Sequence, residues 1–479
     1  MMEPRASPLP DSASFFRPRT LPGCTWPALP TPAASQVWAC YLELDRTQWL
    51  PRGEIEQRQL AQVRTLVAHA IKNVPHYRRQ FAAAGIAPAI NTMDDLRRVP
   101  LLDRRTVQEQ FLHLTAGSLP AGHQPTGEVF TSGTSGVPIR VLQTNVVNIW
   151  WLAFLLRDAE WGGVDPRGRL AAIRATAKSG DELQRLMQGV ANPRWSKLLD
   201  SVIETGDAHV MDVHQDPRRQ IEWLRRVEPA YLLSYPSNLE FLAGLIAEQG
   251  ERLPSLRVIQ TIAETLGDDV QARIEAAFGV PVKNTYSCFE AGYLASPCPA
   301  GHGLHVHAEN AIVEVLDADG HPCLPGQTGR VVITTLQNFL QPFIRYDVMD
   351  DAEVGADPCP CGRGLPLLRR VLGKRRPVLQ LAGGRVKNLA GLAIGMRKIG
   401  GFHQFQIVQR AIDAFTIRCV PDRSWTADHA SRISRLVNEF CDSPVSVDVA
   451  CLDRLELPPG GKLRDFVCEV EAASPHGPS

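Results

Sequence analysis

Hydrophobic residues recur at two periods along this chain, and the changes between them outline its architecture. From Gln57 to Val74 the apolar positions Leu60, Val63, Leu66, Val67, Ala70, Ile71 and Val74 return every three to four residues, one face of a helix that Pro75 ends. Val146 to Leu156 is apolar and aromatic almost throughout, with Trp150, Trp151 and Phe154, and reads as a packing helix or the wall of an acyl pocket. Beyond it, short apolar runs alternate with amphipathic ones. Strands are predicted at Leu170–Ile173, Tyr231–Ser234, Leu256–Ile262 and Val282–Tyr286, and helices at Asp216–Val227, Ser237–Gln249 and Asp268–Phe278. That alternation predicts a doubly wound, largely parallel sheet with ligands at the carboxyl ends of its strands. From Leu304 the segments shorten: Ile312–Leu316 and Gly329–Thr335, parted by Asp317-Ala318-Asp319-Gly320, read as a β subdomain. A last mixed stretch, with strands at Phe405–Val408, Phe415–Val420 and Val445–Val449 and a helix at Ala427–Phe440, reads as a small α+β domain.

A chain of 479 residues exceeds one ordinary core, so more than one domain is expected. The expected division is a proline-rich tail over 1–40, a large domain over 41–372, a small domain over 373–470 and a tail over 471–479. The charge balance, 51 basic against 51 acidic residues, favours neither nucleic acid nor an anionic membrane as partner. No apolar run is long enough to span a bilayer and the N-terminus has no signal pattern, which predicts a soluble cytoplasmic protein.

Thr131-Ser132-Gly133-Thr134-Ser135-Gly136-Val137-Pro138 follows the extended-looking run Glu128-Val129-Phe130. Its glycines free the backbone to turn N–H groups toward an anion, and its hydroxyls add rotatable donors. That composition suits a polyphosphate, though solvated turns share it. The loop has neither the Gly-Lys-Ser/Thr ending of a Walker loop nor the spaced glycines of a dinucleotide fingerprint. It resembles the phosphate loop of acyl-adenylate-forming enzymes, and with the later motifs it resembles most the phenylacetate–CoA ligase branch. The resemblance runs from about Leu60 to Val470.

Several strand ends carry that resemblance. Ile262-Ala263-Glu264-Thr265 resembles a Gly-Ala-Glu-Pro turn whose backbone flanks adenine. Tyr286-Ser287-Cys288-Phe289-Glu290 resembles a Tyr-Gly-x-Thr/Ser-Glu element, which implies the Tyr286 ring on the purine and Glu290 on magnesium. Ser287 and Phe289 depart from that pattern, Phe289 removing a hydroxyl expected near the α-phosphate. In the run Phe343 to Asp350 the acid that accepts the ribose hydroxyls is expected at Asp350, with Asp347 and Asp351 one register slip away. Arg345 is expected on phosphate or carboxylate, or paired with a neighbouring Asp. Tyr235 and Ser237 follow the strand where this branch positions an aryl acid, and are candidates for the acid pocket. Gly373-Lys374-Arg375-Arg376-Pro377 stands at the interdomain hinge; Lys374 replaces the usual Arg and counts with the nucleotide-binding residues, while Arg376-Pro377 replaces an acidic pair. Pro459-Gly460-Gly461-Lys462-Leu463-Arg464 resembles the terminal Gly-Lys loop, which makes Lys462 the expected catalytic residue.

Of eleven cysteines, Cys298, Cys359 and Cys361 stand apart, because Cys298 is followed by His302 and His305 and the other two form Cys-Pro-Cys. Soft thiolates with an imidazole suit a closed tetrahedral zinc site, and zinc-bearing members of the branch have such a cluster. The expected ligands are Cys298, His305, Cys359 and Cys361, with His302 and then His307 as alternates.

The resemblance implies a large adenylate-forming domain, doubly wound sheets plus a β subdomain, joined to a small mobile α+β domain. It implies attack of a carboxylate, aryl or arylalkyl by default, on the α-phosphate of MgATP, then transfer to coenzyme A. Transfer to an amine, a hydroxyl or a carrier-protein thiol, and a nucleotide-binding protein without the chemistry, stay open, as does assembly into a homodimer.

Overall fold

The computed structural model describes residues 16–87, 89–130, 139–176, 178–250, 252–374, 379–381, 385–387, 390–458, 463 and 466–470. It corrects the tail expected over 1–40 from residue 16 onward. Thr20–Thr25 (β1) and Ala28–Pro30 (β2) form a hairpin, and Pro32–Thr47 is a helix (α1). The prolines serve this structure: Pro32 occupies the first helical turn, where its missing N–H costs nothing, and Thr31 caps the helix by accepting from Ala34 N at 3.2 Å. Phe16, Val37, Tyr41 and Leu44 are buried there. Arg52–Asn73 (α2) is the helix predicted from its apolar face, and Val63, Leu66, Val67 and Ala70 on it enter the main core.

Thr126–Phe130 (β3) and Arg140–Thr144 (β4) pair antiparallel up to Phe130↔Arg140, and the aromatic helix Asn145–Gly162 (α3) follows. A six-stranded sheet comes next. Its strands are Leu170–Arg174 (β5), Val190–Asn192 (β6), Ala208–Asp212 (β7), Tyr231–Ser234 (β8), Val258–Thr261 (β9) and Val282–Asn284 (β10), in spatial order β10-β9-β8-β5-β7-β6. All its pairs are parallel except β6 with β7. Side chains alternate strictly across it. Ala171, Ile173, Leu232 and Ile259 pack against the helices Pro217–Val227 (α4), Pro236–Gln249 (α5) and Asp268–Phe278 (α6), whereas Leu170, Tyr231 and Val258 pack against α1 and α3.

The strand predicted over Val282–Tyr286 divides at Thr285, whose hydroxyl donates to Asp158 of α3 at 2.9 Å. Tyr286 opens a second, wholly antiparallel sheet. It comprises Tyr286–Cys288 (β11), Gly292–Pro297 (β12), Leu304–Val306 (β13), Ala311–Leu316 (β14), Thr328–Thr335 (β15), Tyr346–Val354 (β16) and Leu367–Lys374 (β17), in order β11-β12-β13-β17-β16-β15-β14. After it come the short pair Leu379–Gln380 (β18) and Val386–Lys387 (β19) and the helix Ala390–Ile399 (α7). The small domain then adds Phe402–Ala411 (β20), Ala414–Pro421 (β21), the helix Ala427–Cys441 (α8), Ser446–Cys451 (β22) and Phe466–Cys468 (β23), with sheet order β22-β21-β20-β23. Among the described residues no helix is long and apolar enough to cross a membrane.

Candidate active site

The carboxyl edge of the six-stranded sheet, the start of the antiparallel sheet and the small domain meet where the sequence places its motifs. The phosphate-loop candidates Thr131, Ser132, Gly133, Thr134, Ser135 and Gly136 lie outside the described residues, as does Lys462. Their flanks are described. The β3–β4 hairpin ends at Phe130↔Arg140, and Gln143 in β4 donates from Nε2 to the carbonyl of Phe289 at 3.2 Å. This bond ties the base of the loop to the residue beside Glu290.

β11 and β16 assemble a polar group in an apolar surround. The Tyr286 hydroxyl donates to Asp350 Oδ2 at 2.8 Å, and Tyr346 donates to Glu290 Oε1 at 3.0 Å. Burial raises both phenols far above their ordinary range, and the neighbouring carboxylates add to it, so both remain O–H donors at any working pH. Asp350 is paired across the strands with Lys374, whose Nζ lies 3.5 Å from Oδ1 and donates to the Val348 carbonyl at 2.7 Å. Of the three neighbouring acids, Asp350 is the one set against Tyr286 and Lys374. Tyr346 was not singled out in the sequence, although it shares a strand face with Val348 and Asp350 at two-residue spacing.

The turn after β9 joins the two domains. Ala263 has a φ of 64°, the left-handed region, and the Glu264 N–H donates to the Ile262 carbonyl at 2.8 Å. The Glu264 carboxylate accepts from the Ser237 N–H at 2.9 Å, the Ser237 hydroxyl at 3.0 Å and the Leu463 N–H at 3.1 Å. Leu463 is the residue after Lys462. Thr265 lies against Gly373, whose φ is 77°; a Cβ there would stand 1.7 Å from Thr265 Oγ1. Only glycine fits both the conformation and the space.

One expectation changes, and two candidates have protein partners. Arg345, expected on phosphate or carboxylate of a ligand or on a nearby Asp, is buried and gives its guanidinium to Glu314 at 3.0 and 3.2 Å and to the carbonyls of Arg97 and Val99. It is a strut between the antiparallel sheet and the segment 97–99. Ser237, a candidate for the acid pocket, anchors Glu264. Tyr235, the other candidate, is buried and accepts from the Ala175 N–H at 3.2 Å. A strand-end position looks the same in sequence whether its side chain faces a ligand or braces a turn.

The cysteine cluster comes together. One ligand atom from each of Cys298, His305, Cys359 and Cys361 lies within 4.8 Å of the others, and none of the thiols is in a disulfide. His305 Nε2 faces Cys361 Sγ at 3.1 Å while its Nδ1 lies 3.3 Å from the Leu365 carbonyl. A carbonyl only accepts, so Nδ1 carries the proton and Nε2 presents its lone pair to the cluster. Burial lowers the His305 pKa to about 4, which keeps the ring neutral. His302 is exposed and stands outside this group. His307 is committed elsewhere, between Arg157 on Nδ1 and Ser296 Oγ at 2.8 Å on Nε2. The donor set suits zinc: soft thiolates and an oriented neutral imidazole, four in number, three of them buried and Cys361 half-buried.

No family model matches the chain. It is 23% identical over 349 residues to phenylacetate-coenzyme A ligase of Thermus thermophilus, covering 70% of this chain and 73% of that relative. A crystal structure of 2-hydroxyisobutyryl-CoA ligase in the postadenylation state, with R3-HIB-AMP, matches with a TM-score of 0.69 at 20% identity, over 89% of this chain and 92% of that one. The same ligase in the thioesterification state, with 2-HIB-AMP and CoA, matches with a TM-score of 0.56 at 21% identity, over the same 89% and 92%. The curated relatives are phenylacetate-coenzyme A ligases and these structural neighbours are both 2-hydroxyisobutyryl-CoA ligase. The α/β fold is the one that ligase has.

Proposed function

We propose that this chain activates a carboxylic acid, aryl or arylalkyl, as its acyl-adenylate with release of pyrophosphate, then transfers the acyl group to coenzyme A. The observation that carries this reading is the turn Ala263–Thr265. It contacts the hinge glycine Gly373 on one side and, through Glu264, the residue after Lys462 on the other, beside the Tyr286–Asp350–Lys374 group. An adenylating enzyme needs such convergence, because its small domain must bring a cation to the carboxylate and α-phosphate while the large domain holds the nucleotide.

In this reading the N–H and hydroxyl groups from Thr131 to Gly136 hold the departing phosphates, and Tyr286 and the turn Ala263–Thr265 border the purine. Asp350 takes the ribose hydroxyls, with Lys374 keeping it oriented. Glu290, held by Tyr346, suits a hard cation, and bound magnesium would neutralise phosphate charge there. Lys462 offsets the charge gathering on the α-phosphate as the carboxylate oxygen bonds to phosphorus and the bond to pyrophosphate breaks. Cys298, His305, Cys359 and Cys361 would hold zinc as a structural clamp, since four protein ligands leave no position for substrate.

The test is acid-dependent exchange of pyrophosphate into ATP across a panel of aryl, arylalkyl and fatty acids, followed by coenzyme A addition. Exchange with one acid class and formation of AMP and thioester is the expected result. Exchange that persists without thioester would favour transfer to an amine, a hydroxyl or a carrier thiol, the reading suggested by Arg376-Pro377 at the hinge. Lys462→Ala is expected to lose at least about a hundredfold in exchange, since one preorganised donor is worth roughly 3–4 kcal/mol, with ATP affinity little changed. Near-normal exchange by that variant would refute the role.

A further inference from the structure

Asp212 and His214 close β7 at the carboxyl edge of the six-stranded sheet, facing the small domain. Asp212 is wholly buried and bonded on both oxygens. Oδ2 accepts from the Thr176 N–H at 2.9 Å and hydroxyl at 2.6 Å, and Oδ1 from the His214 N–H at 3.0 Å. The same Oδ1 lies 2.6 Å from His214 Nδ1. Burial pushes the Asp212 carboxyl up, but the bonds from Thr176 and His214 outweigh it and hold the group below the usual carboxylate range. It stays ionised. On the other side of the ring, Nε2 lies 3.1 Å from the carbonyl oxygen of Pro458. A carboxylate and a carbonyl both accept, so the ring lies between two acceptors, Asp212 on one side and Pro458 on the other, and bridges them through its N–H.

Pro458 precedes Lys462 by four residues. On the far side of Lys462, the Leu463 N–H is held by Glu264. The chain that carries the lysine is therefore tethered at both ends, to β7 through His214 and to the turn after β9 through Glu264. Building on the function proposed above, we infer that Asp212 and His214 are a positioning pair that fixes the small domain in the arrangement used for adenylation, His214 binding the Pro458 carbonyl and Asp212 orienting His214. The better superposition on the ligase in its postadenylation state than in its thioesterification state, TM-scores of 0.69 and 0.56, agrees with the domain arrangement this contact requires. The pair touches no reacting atom. Its effect falls on the first half-reaction, because rotation of the small domain for the second breaks the bond to Pro458.

The test separates the two half-reactions in the full-length protein. His214→Ala and His214→Phe, the latter keeping a ring without donors, are compared with His214→Gln, whose amide N–H can reach the same carbonyl. Pyrophosphate exchange measures the first step, and thioester formation from synthetic acyl-AMP and coenzyme A the second. The Ala and Phe variants are expected to lose on the order of tenfold in exchange, the size of one hydrogen bond, and Gln less than about threefold. All three are expected to keep the unmodified rate in the second step. Equal losses in both steps, or full exchange by the Ala and Phe variants, would overturn the inference. Unmodified protein that exchanges no pyrophosphate overturns this inference and the proposed function together, whereas active protein with indifferent variants overturns this one alone.

Discussion

Arg345 enters β16 with a φ of 51° and is 6% exposed, an arginine with nowhere to send its charge except Glu314 and two carbonyls. Arg345→Met would leave the Glu314 carboxylate buried without a counter-charge and the Arg97 and Val99 carbonyls without that donor. Breaking a buried pair in this way costs about 3–5 kcal/mol. The expected outcome is a large loss in chemical-denaturation stability with the KM for ATP of the folded fraction unchanged; a raised KM with full stability would restore Arg345 to the nucleotide site. The local sequence offers only a neighbouring Asp as its partner, and nothing local points to Glu314, which comes from another strand 31 positions away. Gly373 is the converse case. Its place in a hinge motif was legible, while the reason for glycine was not, because Thr265 approaches from the turn after β9. Gly373→Ala would force a left-handed alanine against that hydroxyl. Both half-reactions should slow, and Thr265→Ala in the same chain should recover part of the loss, since it removes Oγ1 and leaves the backbone strain.

At the scale of elements, periodic segments were legible and their edges nearly so: α2, β5, β8, α5 and α6 lie where the apolar pattern puts them, because each helix buries one face and the two strands are covered on both. Polar strands were not. β7 carries His209 and ends in Asp212, and its place between β5 and the edge strand β6 follows from neighbours the local pattern does not contain. The N-terminal hairpin was hidden by its prolines, which read as disorder until Phe16 and α1 are seen packed under α3. The cysteine cluster was legible because thiols and imidazole at short spacing have few other uses. It joins β12 and β13, through Cys298 and His305, to the loop before β17, through Cys359 and Cys361. Purified protein is expected to hold one zinc per chain by elemental analysis. Its removal by a strong chelator should lower the melting temperature, because metal binding to the folded state adds directly to stability. Cys359→Ser should give the low melting temperature without the chelator; metal-free protein of unchanged stability would refute the clamp.

Over the whole molecule, the small domain rests on α5 by a mixed contact instead of a continuous core. Phe241 packs against Val420 and Leu455, Gln404 donates to the Ser237 carbonyl at 3.2 Å, and His403 lies 3.3 Å from Glu248. Few apolar side chains and several polar ones make a surface that can part and re-form, as an enzyme with two half-reactions requires. Gly244 sits at the centre of this contact, where a Cβ would stand 2.5 Å from His403 Nδ1. Gly244→Ala therefore pushes β20 away from α5 or turns His403 off Glu248, and it changes nothing in the large domain's own core. The expected result is a several-fold loss in pyrophosphate exchange with little change in thioester formation from supplied acyl-AMP. Substituting His403→Ala in the Gly244→Ala chain should return much of the exchange, because it clears the space the new methyl needs. A variant slow in both steps, and unrescued by the second change, would mean that α5 matters to the stability of the large domain and that the docking of the small domain is set elsewhere.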